Sequence, residues 1–155
     1  MSTFETETRQ KNRDTVEIYM NSRGKARLER HNLFVEDGEA GLWTSDKGVP
    51  VATKGRDKLA KHAEWSLRCF PDWEWYNIEI YETQNPNFIW VECDGRGRIC
   101  FEGYPEGYYK NHFLHSFELL DGKIVRQREF MNPIEQMWAL GIETPTINRI
   151  GFPTD

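Results

Sequence analysis

Apolar residues recur with a helical period in one segment near the middle of the chain. Within residues 55–70 the inward positions at i, i+3, i+4 and i+7 are Leu59, His62, Ala63, Ser66, Leu67 and Phe70. This spacing predicts an amphipathic helix, and Pro71 directly after it is a typical stop signal. Apolar stripes also predict a first helix over residues 9–21, with residues 1–8 frayed, and a last short helix over residues 133–140.

The second half of the chain instead alternates between apolar and polar residues with a period of two. This alternation predicts five strands, over residues 73–83, 88–93, 98–102, 108–120 and 123–131. Two stretches between them, residues 94–97 and 121–122, are rich in Asp and Gly. That composition is typical of tight turns, so each stretch is predicted to join two strands.

The connecting segments complete the predicted fold. Residues 25–31 are predicted to be helical, residues 36–44 a small hairpin, residues 45–54 a loop and residues 143–155 an extended arm. Helices followed by a strand meander indicate an α+β fold, with helices packed on the concave side of a bent antiparallel sheet. Such a cone encloses a pocket at its wide end, and the whole chain is predicted to form this one domain.

One carboxylate falls on an apolar face of the last predicted strand. Strand alternation places Val125, Gln127, Glu129 and Met131 on the same side. A carboxylate there lies either near a rim or in a partly apolar site. The second arrangement raises a pKa and makes a usable acid or base, so Glu129 is a candidate catalytic residue.

Four other polar residues are candidates for the same pocket. His62 and Ser66 are one turn apart on the inward helix face, where they form either a satisfied core pair or a proton-transfer wall. Arg30 is either an ordinary surface cation or a binder of a substrate carboxylate. Tyr109 lies on the apolar face of its strand, either as a packed ring or as a polar tip on the pocket wall.

Composition narrows the classes of partner. A net charge of −5 argues against nucleic acid, because no excess of cations is available for phosphates. No apolar run approaches the ~20 residues of a membrane span. The chain has three cysteines, and its first ten residues contain no apolar signal segment. We interpret these features as those of a cytoplasmic protein with reduced thiols.

The spacing of potential ligands argues against a metal or a cofactor. His112 and His115 are three residues apart on a strand and therefore point to opposite faces. No pair of cysteines has the CxxC spacing of a metal site. The glycines of residues 95–97 lack the third glycine and the helix of a dinucleotide-binding motif.

The order of elements around residues 62–66 resembles the small cone-shaped NTF2-like, or SnoaL-like, fold. More closely, nearly the whole chain resembles the phenazine biosynthesis A/B proteins. The stretches that carry this resemblance are residues 12–20, 27–31, 55–75, 90–111 and 125–133.

The resemblance implies a reaction that spacing alone does not. Members of this family condense two molecules of 6-amino-5-oxocyclohex-2-ene-1-carboxylate, the amine of each attacking the ketone of the other, to a tricyclic phenazine precursor. The resemblance also implies a homodimer that uses no cofactor or metal. Glu129 matches the acid/base carboxylate and His62 its partner, whereas Ser66, Arg30 and Tyr109 match residues that hold the substrates.

Two other classes of function remain open from the sequence. One is a non-catalytic dimeric binder that shields a reactive intermediate. The other is a different NTF2-like pocket enzyme, such as an isomerase or a polyketide cyclase, which would need room for only one substrate.

Overall fold

The structure is a computed structural model that describes residues 2–154. In chain order the elements are α1 (Thr3–Asn21), a 3-10 helix (Gly24–Leu33), β1 (Phe34–Leu42), β2 (Val51–Lys54), α2 (Arg56–Cys69), β3 (Glu74–Glu82), β4 (Phe88–Ile99), β5 (Gly107–Leu120), β6 (Lys123–Met131) and α3 (Pro133–Ala139). No helix among these residues is long and apolar enough to cross a membrane. The residues that follow Ile142, as far as 154, form neither helix nor strand and are mostly exposed.

The six strands form one open sheet in the order β2-β1-β6-β5-β4-β3. The predicted α+β class is confirmed, but the sheet is mixed, because β1 runs parallel to β6 while the other neighbours are antiparallel. Val16 and Met20 of α1 and Leu59 of α2 are buried in the same core as Phe113 and Phe117 of β5. The helices therefore cover the apolar face of the sheet.

The first helix begins earlier than predicted. Ser2 caps it by accepting a hydrogen bond from the Glu5 backbone N–H, and Arg9 donates to the Thr83 backbone oxygen at 2.8 Å. The prediction that residues 1–8 are frayed is therefore wrong for residues 3–8, and Met1 lies outside the described residues. A capped first turn and a contact with the end of β3 hold this segment in place.

Glycines explain two errors in the predicted strands. Residues 94–97 are not a turn, because β4 continues through them. A Cβ on Gly95 would lie 2.3 Å from Trp73 Cζ2, so this glycine serves the close packing of an aromatic ring. The predicted hairpin over residues 36–44 is also wrong, because β1 runs through residues 36–42 and pairs instead with β2, at residues 51–54 of the predicted loop. Gly41 gives β2 room to pair, since a Cβ would lie 2.3 Å from the Val51 backbone oxygen.

A β-bulge in β6 changes which residues face inward. The pairing between β5 and β6 slips so that Glu118 opposes Arg126 and Leu119 opposes Ile124, which leaves Val125 without a partner. Val125 is 39% exposed, whereas Ile124 is fully buried. The prediction that Val125 shares a face with Glu129 is therefore wrong, although residues 127, 129 and 131 keep the predicted alternation.

Candidate active site

A cavity of about 330 Å³ lies between the covered face of the sheet and the surrounding helices. Its size is at the lower end of the range of pockets that hold small organic ligands, roughly 300–1,000 Å³. Its wall is largely apolar, and its polar side chains are Tyr19, Arg27, Arg30, His31, Thr53, His62, Ser66, Gln127 and Glu129. These residues come from α1, the 3-10 helix, β2, α2 and β6.

Glu129 places a carboxyl group in the sheet wall of the cavity. Its backbone is fixed by the parallel pairing with Leu42 and by the hydrogen bond that the Trp43 N–H donates to its carbonyl oxygen. Its side chain is 19% exposed and makes no hydrogen bond to any other side chain or backbone group of residues 2–154. Burial raises its pKa from 4.5 to about 7, against the opposing effect of Arg30. Near neutral pH this carboxyl can both donate and accept a proton.

Arg30 is a partly buried cation without an acidic partner among the described residues. Its Nη2 donates to the Ser22 backbone oxygen at 3.0 Å, and its guanidinium lies 4.9 Å from the centre of the Tyr19 ring. Within the described residues its Nε atom has no hydrogen-bond partner, and no carboxylate lies within 4.0 Å of the guanidinium. Burial lowers its pKa, which expresses the cost of keeping this charge away from water. An anion bound in the cavity would relieve that cost.

His62 and Ser66 form the opposite, helical wall. Helix α2 places both at the cavity lining, with the His62 ring against Trp65 at 5.6 Å between ring centres. Although the side chain of His62 is exposed to solvent, the protein around it and the charge of Arg30 lower its pKa. His62 is therefore a neutral base near pH 7, facing the same space as the carboxyl of Glu129.

Arg27 holds Ser66 in place, a role that the sequence did not indicate. Arg27 is 2% exposed and donates to the Ser66 hydroxyl oxygen at 3.1 Å and to the backbone oxygens of Ser66 and Phe70. Because the hydroxyl oxygen accepts this bond, the Ser66 O–H remains able to donate into the cavity.

Tyr109 does not belong to the wall that the other four predicted residues form. Its ring stacks on Trp73 at 5.2 Å, its side chain is 2% exposed, and its hydroxyl accepts a hydrogen bond from Asn111 Nδ2 at 2.8 Å. Burial raises its pKa. The structure therefore brings Glu129, His62, Ser66 and Arg30 around one cavity and places Tyr109 in the adjoining aromatic core.

Two further buried polar residues, His115 and Gln127, lie next to Glu129. His115 opposes Glu129 across the β5–β6 pair, and its Nδ1 lies 3.9 Å from the carboxylate. Gln127 Nε2 lies 2.8 Å from the same Nδ1. Strand alternation predicted that these residues face inward, but it gave no sign of the contact between them. Among residues 2–154 no group of three or more His, Cys, Asp or Glu side chains could hold a metal ion.

Comparison with known proteins identifies the family. The family described as "Phenazine biosynthesis protein A/B" matches residues 2–154. The chain belongs to this family. "Phenazine biosynthesis protein PhzB 2" of Pseudomonas aeruginosa is 66% identical over 148 residues, which cover 96% of this chain and 91% of that protein. "Phenazine biosynthesis protein PhzA2" of the same species is 57% identical over 148 residues, with the same coverage.

Solved structures agree with this assignment. A crystal structure of a phenazine biosynthesis-related protein, phzb2 of Pseudomonas aeruginosa, is 65% identical and superposes with a TM-score of 0.94, covering 96% of this chain and 91% of that chain. A putative SnoaL-like polyketide cyclase from Jannaschia superposes with a TM-score of 0.69 at 17% identity, over 93% of this chain and 98% of that chain. At that identity the likeness establishes the NTF2-like, SnoaL-like fold alone. Membership of the A/B family gives the chain a role in phenazine biosynthesis.

Proposed function

We propose that this member of the A/B family is an enzyme that condenses two molecules of 6-amino-5-oxocyclohex-2-ene-1-carboxylate to a tricyclic phenazine precursor. The observation that carries the proposal is a partly buried arginine, with no acidic partner among the described residues, in the same cavity as a carboxyl group with a raised pKa. Each substrate carries a carboxylate that Arg30 can bind, and its condensation requires proton transfers in which Glu129 can take part. Ser66 contributes a hydroxyl donor to the same cavity.

The proposed reaction uses Glu129 and His62 as an acid and a base. The amine nitrogen of one substrate attacks the ketone carbon of the other, and a proton passes from nitrogen to the ketone oxygen. Glu129 then protonates the hydroxyl of the resulting carbinolamine, which leaves as water. The nitrogen loses its remaining proton to the base, and a C=N bond results. A second round between the other amine and ketone closes the central ring.

The expected rate enhancement comes mainly from bringing the two substrates together. Holding both in one cavity supplies at most about 7–11 kcal/mol of the barrier, because a bimolecular step becomes effectively unimolecular. Acid/base catalysis adds about 10²- to 10⁴-fold. The condensation is redox-neutral and releases only water, so the proposed chemistry requires no cofactor and no metal.

A time course of tricyclic product tests the proposal in a mixture that generates the amino-ketone. The wild type is expected to accelerate product formation, Glu129→Gln to lose most of the acceleration, and Glu36→Gln, on an exposed residue of β1, to keep it. Wild-type turnover by Glu129→Gln would refute the acid/base assignment. Substrate binding without acceleration would favour a carrier. If the structure of a complex with a two-ring product analogue shows space for one ring only, a different pocket enzyme with a single substrate would be favoured.

We further propose that the protein acts as a homodimer in the cytoplasm. In support, the C-terminal residues Ile147, Ile150 and Phe152 are 71%, 89% and 63% exposed, and a partner subunit could bury these apolar side chains. Sedimentation of the full chain should give twice the mass of 18.4 kDa. A monomer at micromolar concentration would contradict the proposal.

A further inference from the structure

Glu129 has an unusual contact with a buried histidine on the neighbouring strand β5. His115 is fully buried and its Nδ1 approaches the Glu129 carboxylate to 3.9 Å, yet no hydrogen bond joins them. A histidine so close to a carboxylate ordinarily becomes protonated and forms an ion pair with it. Such a pair would fix Glu129 as an anion and remove its use as an acid.

Gln127 occupies the position from which that pair would form. With its amide oriented as in the structure, Gln127 Nε2 donates to His115 Nδ1 at 2.8 Å. A nitrogen that accepts a hydrogen bond carries no proton, so the ring proton of the neutral histidine resides on Nε2. The Nε2 atom is buried without a partner in the described residues. His115 therefore has no N–H directed at Glu129.

We propose that Gln127 is a positioning residue that holds the tautomer of His115 and thereby denies the Glu129 carboxylate a hydrogen-bond donor. The consequence is a carboxyl group that stays available to substrate as an acid, and in this respect the inference rests on the proposed function. Gln127 itself is 2% exposed and also lines the cavity, so its amide is fixed between the ring and the substrate space.

The other groups around Glu129 do not replace this role. The titratable groups that line the cavity with it or act on its charge are Tyr19, Arg27, Arg30, His31, His62, Cys93, Tyr109 and His115. Among the described residues, His115 is the one Lys, Arg or His side chain with a nitrogen within 4.0 Å of the carboxylate. The tautomer of His115 thus decides whether this nearest nitrogen can donate a hydrogen bond to the Glu129 carboxylate.

Nitrogen NMR of the wild-type protein tests the tautomer directly. The ¹⁵N shifts of the His115 ring should show a protonated Nε2 and an unprotonated Nδ1 at pH 7. A proton on Nδ1 would overturn the inference. His112 is the internal reference, because it lies on the opposite face of β5 and hydrogen-bonds Asp94 and Glu92 through its two ring nitrogens.

Carboxyl-carbon NMR titration of Glu129 tests the consequence. In Gln127→Met, which keeps the length of the side chain but not the amide, Nδ1 is free to carry the proton and donate to Glu129. The pKa of Glu129 should then fall by about 1, as a hydrogen bond to its charged form requires. In the double variant Gln127→Met/His115→Phe, which keeps a ring between Phe113 and Phe117, the pKa should return to the wild-type value or above it.

The outcomes separate this inference from the proposed function. An unchanged or raised pKa of Glu129 in Gln127→Met overturns the role of Gln127, whatever the enzyme does. Full turnover by Glu129→Gln overturns the proposed function but leaves the NMR result intact. A fall of the pKa in the single variant that persists in the double variant would also overturn the inference, because His115 would then not be the donor.

Discussion

Replacing Glu129 by glutamine should stabilise the protein at alkaline pH while it removes the proposed activity. The fold opposes ionisation of this carboxyl, because burial raises its pKa from 4.5 to about 7. The stability that the neutral form contributes is complete below pH 4.5 and is lost as the pH rises through 7. Above that range the wild type carries a buried charge, whereas the glutamine variant carries a neutral amide of nearly the same shape.

The magnitude follows from the difference between the two pKa values. A difference of about 2.5 corresponds to about 3 kcal/mol at 1.36 kcal/mol for each pKa unit. Solvent in the cavity reaches 19% of the side chain, so we expect about 1–3 kcal/mol. The free energy of unfolding of Glu129→Gln should therefore equal that of the wild type near pH 4 and exceed it by this amount at pH 8.5.

Urea unfolding at intervals between pH 4 and pH 8.5 measures this difference. Glu36→Gln is the matched control, because it makes the same change of charge at an exposed site that forms no ion pair with residues 2–154. Its difference from the wild type should stay within about 0.5 kcal/mol at every pH. A pH-independent difference for Glu129→Gln, or a variant less stable than the wild type at pH 8.5, would refute the reasoning.

Three other substitutions test separate parts of the structure. Arg30→Met should raise KM about ten- to a hundredfold, because a charge-assisted hydrogen bond to the substrate carboxylate is lost. An unchanged KM would contradict the proposed role of Arg30 in binding that carboxylate. His115→Phe should flatten the loss of stability between pH 6.5 and pH 4, measured by urea unfolding, because burial holds the pKa of His115 at about 3 and the unfolded chain takes up the proton first. Gly95→Ala should lower the free energy of unfolding by about 1–3 kcal/mol by displacing Trp73, and a wild-type melting temperature would show that the packing is loose.

The fold was predictable where a single period governs a long segment. Strand β5 buries one face, whose residues follow the predicted spacing. In helix α2 the spacing correctly placed Leu59 in the core, but it did not identify the buried Cys69, and His62 is exposed. Two of the errors in the predicted strands occur where a glycine can serve either a turn or close packing. A glycine that opens a turn and a glycine that admits an indole ring look the same in a sequence, so Gly95 was assigned to a turn. The bulge at Val125 was not predicted, because it depends on how β6 pairs with β5.

Residues of the site could be predicted where a polar side chain interrupts an apolar face of a helix or strand. Glu129 is an acid on an apolar face, and His62 lies on the inward side of a helix, so both were found. Arg27 gave no such signal, because its partners lie 39 and 43 residues further along the chain. The contact between Gln127 and His115 depends in the same way on the register between two strands.

The two charged groups of the cavity, Arg30 and Glu129, each affect the pKa of the other. Arg30 lowers the pKa of Glu129, and Glu129 in turn raises that of Arg30. A bound carboxylate would neutralise the guanidinium and so remove the positive charge that favours an ionised Glu129. We therefore expect an anionic substrate to raise the pKa of Glu129, so that the empty site can be partly ionised and still present a proton donor for the proposed condensation.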